Sequence, residues 1–160
     1  MKILISACLL GDPVRYNGTD LLLAHPLIKK WRDRNQLISL CPEVAGGMPV
    51  PRGPAEISFG DGYSVLNFKS KVIDENQCDV SELFIMGAQK ALKVAKENHC
   101  TIAILTELSP SCGSQVIYDG SFSNKRKTGL GVTTALLTQN NIKVFNQYQL
   151  EDLEQFLNSY

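Results

Sequence analysis

Three of the five cysteines in the sequence each follow a short apolar run. They are Cys8, Cys41 and Cys112, and the runs span residues 3–7, 37–40 and 102–105. Runs of this length with β-branched residues are typical of buried strands in a parallel sheet. In an open α/β sheet, ligands bind outside the carboxyl ends of the strands. The sequence therefore predicts that three thiols from distant parts of the chain converge on one pocket.

The spacing of these cysteines does not by itself choose a metal, because thiolates bind both zinc and iron. There is no CxxC pair, and the spacing matches no short zinc or ferredoxin pattern. A structural zinc site is normally closed by four ligands, whereas His25 and His99 stand at positions typical of solvated surface residues. Three thiols without a clear fourth ligand therefore indicate an open coordination position, where a substrate could bind.

The ordinary alternative is that a free cysteine serves only as a small buried apolar residue. We expect that role for Cys78 and Cys100, which lie before a predicted helix and at the amino end of a predicted strand. The other three cysteines stand in loops rich in Gly, Pro and Ser. Such loops suit thiolates that must reach a ligand.

Composition and charge exclude several functional classes. Lys and Arg number 16, as do Asp and Glu, so no net charge drives the chain toward nucleic acid or an anionic membrane. No apolar run approaches the ~20 residues of a membrane span. The odd number of scattered cysteines indicates a reducing, cytoplasmic setting. Residues 5–8 resemble a lipoprotein cleavage box, but the apolar stretch before them is too short for a signal peptide.

Alternating strands and helices predict one Rossmann-like α/β domain over residues 1–160. We expect three layers, with a mostly parallel sheet, helices on both faces and a small β-hairpin insertion. The predicted strands are 2–7, 37–40, 101–106, 116–118 and 142–145, and the hairpin is 57–73. The predicted helices are a stretch after Asp20, 26–34, one through about 98 behind the capping pair Asp79 and Glu82, one through about 139, and a last one around 150–157.

Two irregular segments carry candidate substrate-binding residues. The loop after Cys8 contains Arg15 and Asn17. Residues 42–56 contain so many Gly and Pro residues that no regular element is expected. They carry the third candidate, Arg52, and also contain Glu56. Long irregular segments in compact domains tend to be functional.

A further candidate site lies at residues 128–133, where Gly129, Gly131 and Thr133 open a predicted helix behind a polar, basic loop at 119–128. Glycine-rich turns at helix N-termini bind anions through free backbone amides. The pattern is not that of a nucleotide-binding P-loop. An ordinary capped helix beside a solvated basic loop is the alternative.

Four motifs together are specific enough to indicate a family. They are SACLLG at 6–11, CPE at 41–43 followed by GGMPVPR at 46–52, SPSCG at 109–113, and TGLGVT at 128–133. In this order, and over essentially the whole chain, they resemble a bacterial family that was long a domain of unknown function and contains the thiouracil desulfidases.

The resemblance implies a [4Fe–4S] cluster held by Cys8, Cys41 and Cys112, with the unique iron free to take the sulfur of a thiocarbonyl. It also implies catalytic roles for Glu43 and for a serine of the SPSC motif, Ser109 or Ser111. These serines could instead hydrogen-bond sulfur or hold a turn, and Glu43 could cap backbone amides.

The function implied is desulfuration of a small thiolated substrate such as 2-thiouracil or another thiolated nucleobase. In the mechanism that we hypothesise, the sulfur would bind iron, water activated by Glu43 would attack the carbon, and sulfide would be released or passed to an acceptor that the sequence does not identify. Two alternatives remain open: a non-enzymatic sensing or binding module that uses a metal or cluster, and a thiol enzyme with Cys112 as nucleophile. The second normally needs a paired base.

Overall fold

The computed structural model describes residues 1–160. In chain order the elements are β1 (Ile3–Ser6), a 3₁₀ turn (Ala7–Leu10), α1 (Pro26–Asp33), β2 (Leu37–Leu40), α2 (Pro42–Ala45), β3 (Ala55–Ile57), α3 (Gly62–Leu66), β4 (Val72–Asp74), α4 (Ser81–Glu97), β5 (Ile102–Ile104), β6 (Val116–Tyr118), β7 (Arg126–Thr128), α5 (Val132–Gln139), β8 (Lys143–Phe145) and α6 (Leu150–Asn158). No helix is both long enough and apolar enough to cross a membrane.

The central sheet has four parallel strands in the order β2-β1-β5-β8. β1 lies between β2 and β5, and Ile3 pairs with Leu37 on one side and Ile102 on the other. The chain therefore leaves β1 for one neighbour and later returns to its other side. In such sheets this reversal of strand order marks the ligand-binding crevice, at the carboxyl ends of the strands.

Helices cover both faces of the sheet, because the side chains of a strand alternate between the two faces. Ile3 and Ile5 of β1 are fully buried in a core cluster with residues of α1 and α6. Leu4 points to the opposite face, where it packs with residues of α4 and α5. The predicted three-layer α/β architecture is thus confirmed.

The helix predicted after Asp20 is wrong. Residues 19–25 contain no helix, because their amides bond to a neighbouring turn instead of to one another. Leu21 N donates to Cys8 O at 2.9 Å, and Leu23 N donates to Leu9 O at 2.9 Å. This part of the chain therefore runs beside the 3₁₀ turn that carries Cys8.

The β insertion is more elaborate than a simple hairpin. β3 and β4 pair antiparallel, but the short helix α3 lies in the connection between them. Asp61 begins that helix, since its Oδ1 accepts from Tyr63 N at 3.0 Å. A second antiparallel pair joins β6 to β7, whose residues the sequence assigned to a polar loop. The short helix α2 likewise lies within residues 42–56, where no regular element was expected.

Candidate active site

The three predicted thiols lie at the ends of three adjacent strands. Cys8 is in the 3₁₀ turn after β1, Cys41 precedes Pro42 at the start of α2, and Cys112 is in the loop after β5. All three line one cavity of about 780 Å³ at the carboxyl edge of the sheet. No three His, Cys, Asp or Glu side chains are grouped closely enough to hold a single metal ion.

Burial dominates the electrostatics of these thiols. It raises the pKa of Cys8, Cys41 and Cys112 above the ordinary value of 9.0. For Cys112 the nearby Glu43, Cys41 and Cys8 raise the pKa further. The thiolate forms therefore repel one another, and a cationic group that bound all three would offset this repulsion.

Hydroxyl groups contact two of the three sulfurs. Cys8 Sγ lies 3.0 Å from Thr106 Oγ1, and Ser6 Oγ donates to Cys112 Sγ at 3.8 Å. Hydrogen bonds to ligand sulfurs are among the means by which a protein tunes a bound metal group. The sequence analysis missed Thr106, although this polar residue follows an apolar strand just as Cys8 does.

Glu43 lies two residues after Cys41, in the first turn of α2, and lines the same cavity. Arg52 Nε donates to Glu43 Oε2 at 3.0 Å, and Arg52 Nη2 contacts the same oxygen. Ser109 Oγ lies 3.5 Å from the other oxygen, Oε1. The carboxylate therefore stands between an arginine and a serine beside the thiols.

The loop that carries Cys112 is held by a second carboxylate, Glu107. Its Oε1 accepts from the backbone amides of Leu108, Ser114, Gln115 and Val116, at 2.8 to 3.3 Å. Its Oε2 accepts from Ser114 Oγ at 3.3 Å and Asn146 Nδ2 at 2.6 Å. We refer to residues 107–114 as the Cys112 loop. Sequence reasoning missed the role of Glu107, whose only signal was its place just after a strand.

The amides at the start of α5 also bind the Cys112 loop. Val132 N donates to Pro110 O at 2.8 Å, and Thr133 N donates to Ser111 O at 2.9 Å. Gly131 lies so close that a Cβ there would stand 2.4 Å from the Ser111 carbonyl carbon. The amides that the sequence offered to an anion are therefore occupied by protein carbonyls. Gly129, Gly131 and Thr133 do not line the cavity.

The two serines of the SPSC motif have different surroundings. Ser109 lines the cavity, and its Oγ accepts from the amides of Ser111 and Cys112 at 3.0 and 3.1 Å. Ser111 is 1% exposed, and its Oγ bonds to Thr133 Oγ1 at 2.8 Å. Ser109 therefore faces the cavity, whereas Ser111 lies behind it.

The two predicted residues of the loop after Cys8 also differ. Arg15 lines the cavity, and its guanidinium makes no hydrogen bond or ion pair with the protein and lies 6.0 Å from the ring centre of Tyr16. Asn17 is exposed and does not line the cavity, because its Oδ1 closes a local turn with Thr19. Only Arg15 is thus available to a ligand in the cavity.

Aromatic side chains, which the sequence analysis did not single out, line part of the cavity. Those with accessible surface are Tyr16, Tyr118, Phe122 and Tyr148, and the buried Phe84 also lines the cavity. Tyr148 is the most exposed of them, at 77%. Planar rings of this kind offer stacking surfaces to a planar heterocycle. Phe122 is also held toward the insertion, since its amide and that of Gly120 both donate to Glu56.

The other cysteines and the histidines lie elsewhere. Cys100 is buried as expected, but Cys78 is exposed, so that prediction was wrong. Cys78 stands in a turn closed by Asp74, whose Oδ1 accepts its amide at 2.9 Å. His25 caps α1 by accepting from Leu27 N at 3.2 Å. Neither histidine lines the cavity.

Fold and site together define an α/β protein with a thiol-lined cavity at the point where strand order reverses. The family model for 2-thiouracil desulfurase matches residues 3–149. The chain therefore belongs to the 2-thiouracil desulfurase family, whose members cleave a C–S bond. This result confirms the family that the four motifs indicated.

Two individual relatives agree with this assignment. A Bacillus subtilis (strain 168) protein, "Uncharacterized protein YbbK", is 46% identical over 151 residues, which cover 94% of this chain and 99% of that protein. A solved structure of a "[4Fe-4S]-dependent thiouracil desulfidase TudS" superposes with a TM-score of 0.90 at 40% identity. The match covers 99% of each chain.

Proposed function

We propose that this protein is an iron–sulfur-dependent desulfidase that replaces the sulfur of a thiocarbonyl compound, such as 2-thiouracil, with oxygen from water. The observation that carries the proposal is the cavity itself, which Cys8, Cys41, Cys112 and Glu43 line together. The 40% identity to a [4Fe-4S]-dependent thiouracil desulfidase supports it. The overall reaction converts C=S and water into C=O and hydrogen sulfide, so it needs no oxidant or reductant.

The donor set fits a [4Fe–4S] cluster held by the three cavity cysteines. Iron–sulfur clusters are ligated by cysteine thiolates, and a cubane is wider than a single ion, so its ligands stand further apart. When bound through three thiolates, a cluster of this kind supplies an iron without a protein ligand, which can act as a Lewis acid toward a thiocarbonyl sulfur. Cys8 and Cys112 are 8% and 5% exposed, so these two ligands are themselves largely shielded from solvent.

Glu43 is the proposed general base. Its Oε1 has only the 3.5 Å contact with Ser109, so this oxygen keeps lone-pair capacity toward the cavity. A carboxylate so placed can take the proton of a water molecule that attacks the thiocarbonyl carbon. General-base catalysis of this kind contributes roughly 10²–10⁴-fold to a rate.

Ser109 is the proposed proton relay. Its hydroxyl lies between Glu43 Oε1 and the backbone amides of Ser111 and Cys112, which orient the oxygen by donating to it. The hydroxyl proton is therefore directed away from those amides, and Glu43 is the acceptor within reach. We assign Ser111 to holding the Cys112 loop, through its bond to Thr133.

Substrate recognition is assigned to Arg15 and the aromatic side chains. A thiolated nucleobase is planar and carries carbonyl or ring-nitrogen acceptors. The Arg15 guanidinium has donors that no protein atom uses, and Tyr16, Tyr118 or Phe122 could stack on such a ring. Gly131 and Thr133 are assigned to support of the Cys112 loop, because their amides donate to Gly113 O and Ser111 O. Gly129 lies just beyond that loop, since its amide donates to Gln115 O at 3.0 Å and a Cβ there would meet Ile117 and Asp61.

The test begins with protein purified without oxygen. We expect about four irons and matching acid-labile sulfide per chain, together with conversion of 2-thiouracil to uracil and release of sulfide. Glu43→Gln should keep the iron and the visible spectrum but lose about 100-fold or more in turnover. Glu75→Gln is the matched control, because Glu75 lines the cavity and its carboxylate makes no hydrogen bond or ion pair with Ser109 or Arg52.

The outcomes separate the alternatives. A loaded protein that turns over no thiolated base would support a sensing or binding module instead. A protein that stays colourless after anaerobic reconstitution would refute the cluster. Full activity in Glu43→Gln would leave the cluster in place but remove Glu43 as the base.

A further inference from the structure

We propose that Arg52 is a positioning residue that holds one oxygen of Glu43 and thereby turns the other toward the reacting water. The proposal rests on the function proposed above, in which Glu43 is the base. The sequence had placed Arg52 among the substrate-binding residues. Its guanidinium instead bonds to Glu43 and to the backbone carbonyls of Pro49 and Val14.

The pairing between Arg52 and Glu43 is unusual in its geometry. Arginine and carboxylate commonly pair through two parallel bonds, one to each oxygen. Here both Nε and Nη2 of Arg52 contact the same oxygen, Oε2 of Glu43. The second oxygen, Oε1, receives only the 3.5 Å contact from Ser109 Oγ. The arginine therefore distinguishes the two oxygens, and it leaves Oε1 able to accept a proton.

Arg52 is itself immobilised by the loops around the cavity. Its Nη1 donates to Pro49 O at 3.1 Å, and its Nη2 donates to Val14 O at 3.0 Å. Its own backbone amide donates to Tyr16 O at 2.7 Å. The side chain is 5% exposed. An arginine held at so many points is a fixed reference for Glu43, and four of its five N–H donors bond to protein atoms.

These contacts require a guanidinium group and not merely a positive charge. From one rigid plane, Nε and Nη2 reach Glu43 Oε2 while Nη1 reaches Pro49 O and Nη2 also reaches Val14 O. A lysine instead presents a single ammonium on a flexible stem. Lysine could keep an ion pair with Glu43, but it could not at the same time bond to both Pro49 O and Val14 O. Arg52→Lys therefore keeps the positive charge beside Glu43 but removes the bonds that fix the position of its carboxylate.

The experiment is a double-mutant cycle on kcat and KM, with Arg52→Met, Glu43→Gln and the double variant in cluster-loaded protein. Arg52→Met should lower kcat by about 100-fold, because small errors in the placement of a catalytic group have effects of this size. KM should change by less than about threefold. In the Glu43→Gln background the same substitution should change kcat by less than about threefold, since residues that act as a unit are not additive.

Arg52→Lys serves as the second variant, in case Arg52→Met does not fold. We expect it to keep wild-type iron content and still lose at least about 10-fold in kcat. Equal losses of kcat in the two Glu43 backgrounds would overturn the proposal. So would a rise in KM with unchanged kcat, which would return Arg52 to substrate binding.

A crystal structure of Arg52→Lys separates this inference from the proposed function. If wild-type protein does not desulfurate any thiolated base, the proposed function fails. The inference about Arg52 is then tested by where the Glu43 carboxylate lies in the Arg52→Lys structure. A carboxylate that has rotated so that Oε1 no longer faces Ser109 supports positioning by Arg52. A carboxylate in its original place refutes it.

Discussion

Two loops at the same edge of the sheet both line the cavity, but they differ in how strongly the rest of the protein holds them. The Cys112 loop, residues 107–114, is held by Glu107 from within and by α5 from behind, and Ser111 and Cys112 are almost fully buried. Residues 11–25, which we call the Arg15 loop, are mostly exposed or half-buried. The guanidinium of Arg15 has no hydrogen-bond partner in the protein.

The difference indicates a division of labour between the two loops. Catalytic and metal-binding groups work best when the surrounding structure fixes them before the ligand arrives. Donors left without a protein partner are instead available to a ligand. We infer that the Cys112 loop is built for holding and the Arg15 loop for recognition.

The largest expected effect is loss of the cluster from Cys112→Ser. Serine removes a soft thiolate ligand while nearly preserving volume, so we expect iron content and activity to disappear together. Cys78→Ser is the control, since Cys78 is exposed and outside the cavity. Iron and acid-labile sulfide analysis of both variants measures the effect. Retention of the cluster in Cys112→Ser would remove this residue from the ligand set.

A methyl group at residue 131 tests how tightly the Cys112 loop is built. Gly131→Ala would place its Cβ 2.4 Å from a backbone carbon of Ser111, and overpacking of this kind costs about 1–3 kcal/mol. Gly53→Ala is the matched control near the cavity, because its Cβ would meet only the flexible Glu75 side chain, at 3.0 Å. The free energy of unfolding, measured with denaturant, and the iron content should both fall in Gly131→Ala and not in Gly53→Ala. Equal losses would contradict the contrast between the two regions.

Substitution of Arg15 tests the recognition side. Hydrogen bonds to charged groups contribute about 1.5–3 kcal/mol, and Arg15 is partly exposed, so we expect Arg15→Ala to raise KM by roughly 10-fold. The iron content and the free energy of unfolding should match those of the wild type, because no protein atom bonds to the guanidinium. Steady-state kinetics with 2-thiouracil measure the change. If iron is lost as well, the Arg15 loop also holds the cluster.

The smallest effect concerns the stability of the cluster-free protein at high pH. Burial raises the pKa of Cys8, Cys41 and Cys112 in the folded state above the ordinary 9.0. Above that pH the unfolded thiols release protons that the folded thiols retain. The unfolded state then binds fewer protons, so the free energy of unfolding should fall as pH rises. Cys112→Ser should show a shallower fall in denaturant titrations, and an identical slope would contradict the assignment.

Much of this architecture could be predicted from local patterns. The apolar runs before Cys8 and Cys41 became adjacent parallel strands, and the glycine-rich turn at 128–131 opened α5. The prediction of a helix after Asp20 was wrong because the amides of that stretch donate to carbonyls of the 3₁₀ turn. A local propensity cannot register a partner that folding brings from another segment.

The sequence by itself determined the residues that reach the carboxyl edge of the sheet, because strand ends and the residues that follow them are local features. It also placed Glu43 beside Cys41. Only the tertiary structure decided that Arg52 bonds to Glu43 and that Thr133 bonds to Ser111. Each of these pairs joins a helix to a loop, since Glu43 lies in α2 and Thr133 in α5. A polar side chain takes whichever partner the packing of these segments brings within hydrogen-bond distance, and residue type alone does not specify that partner.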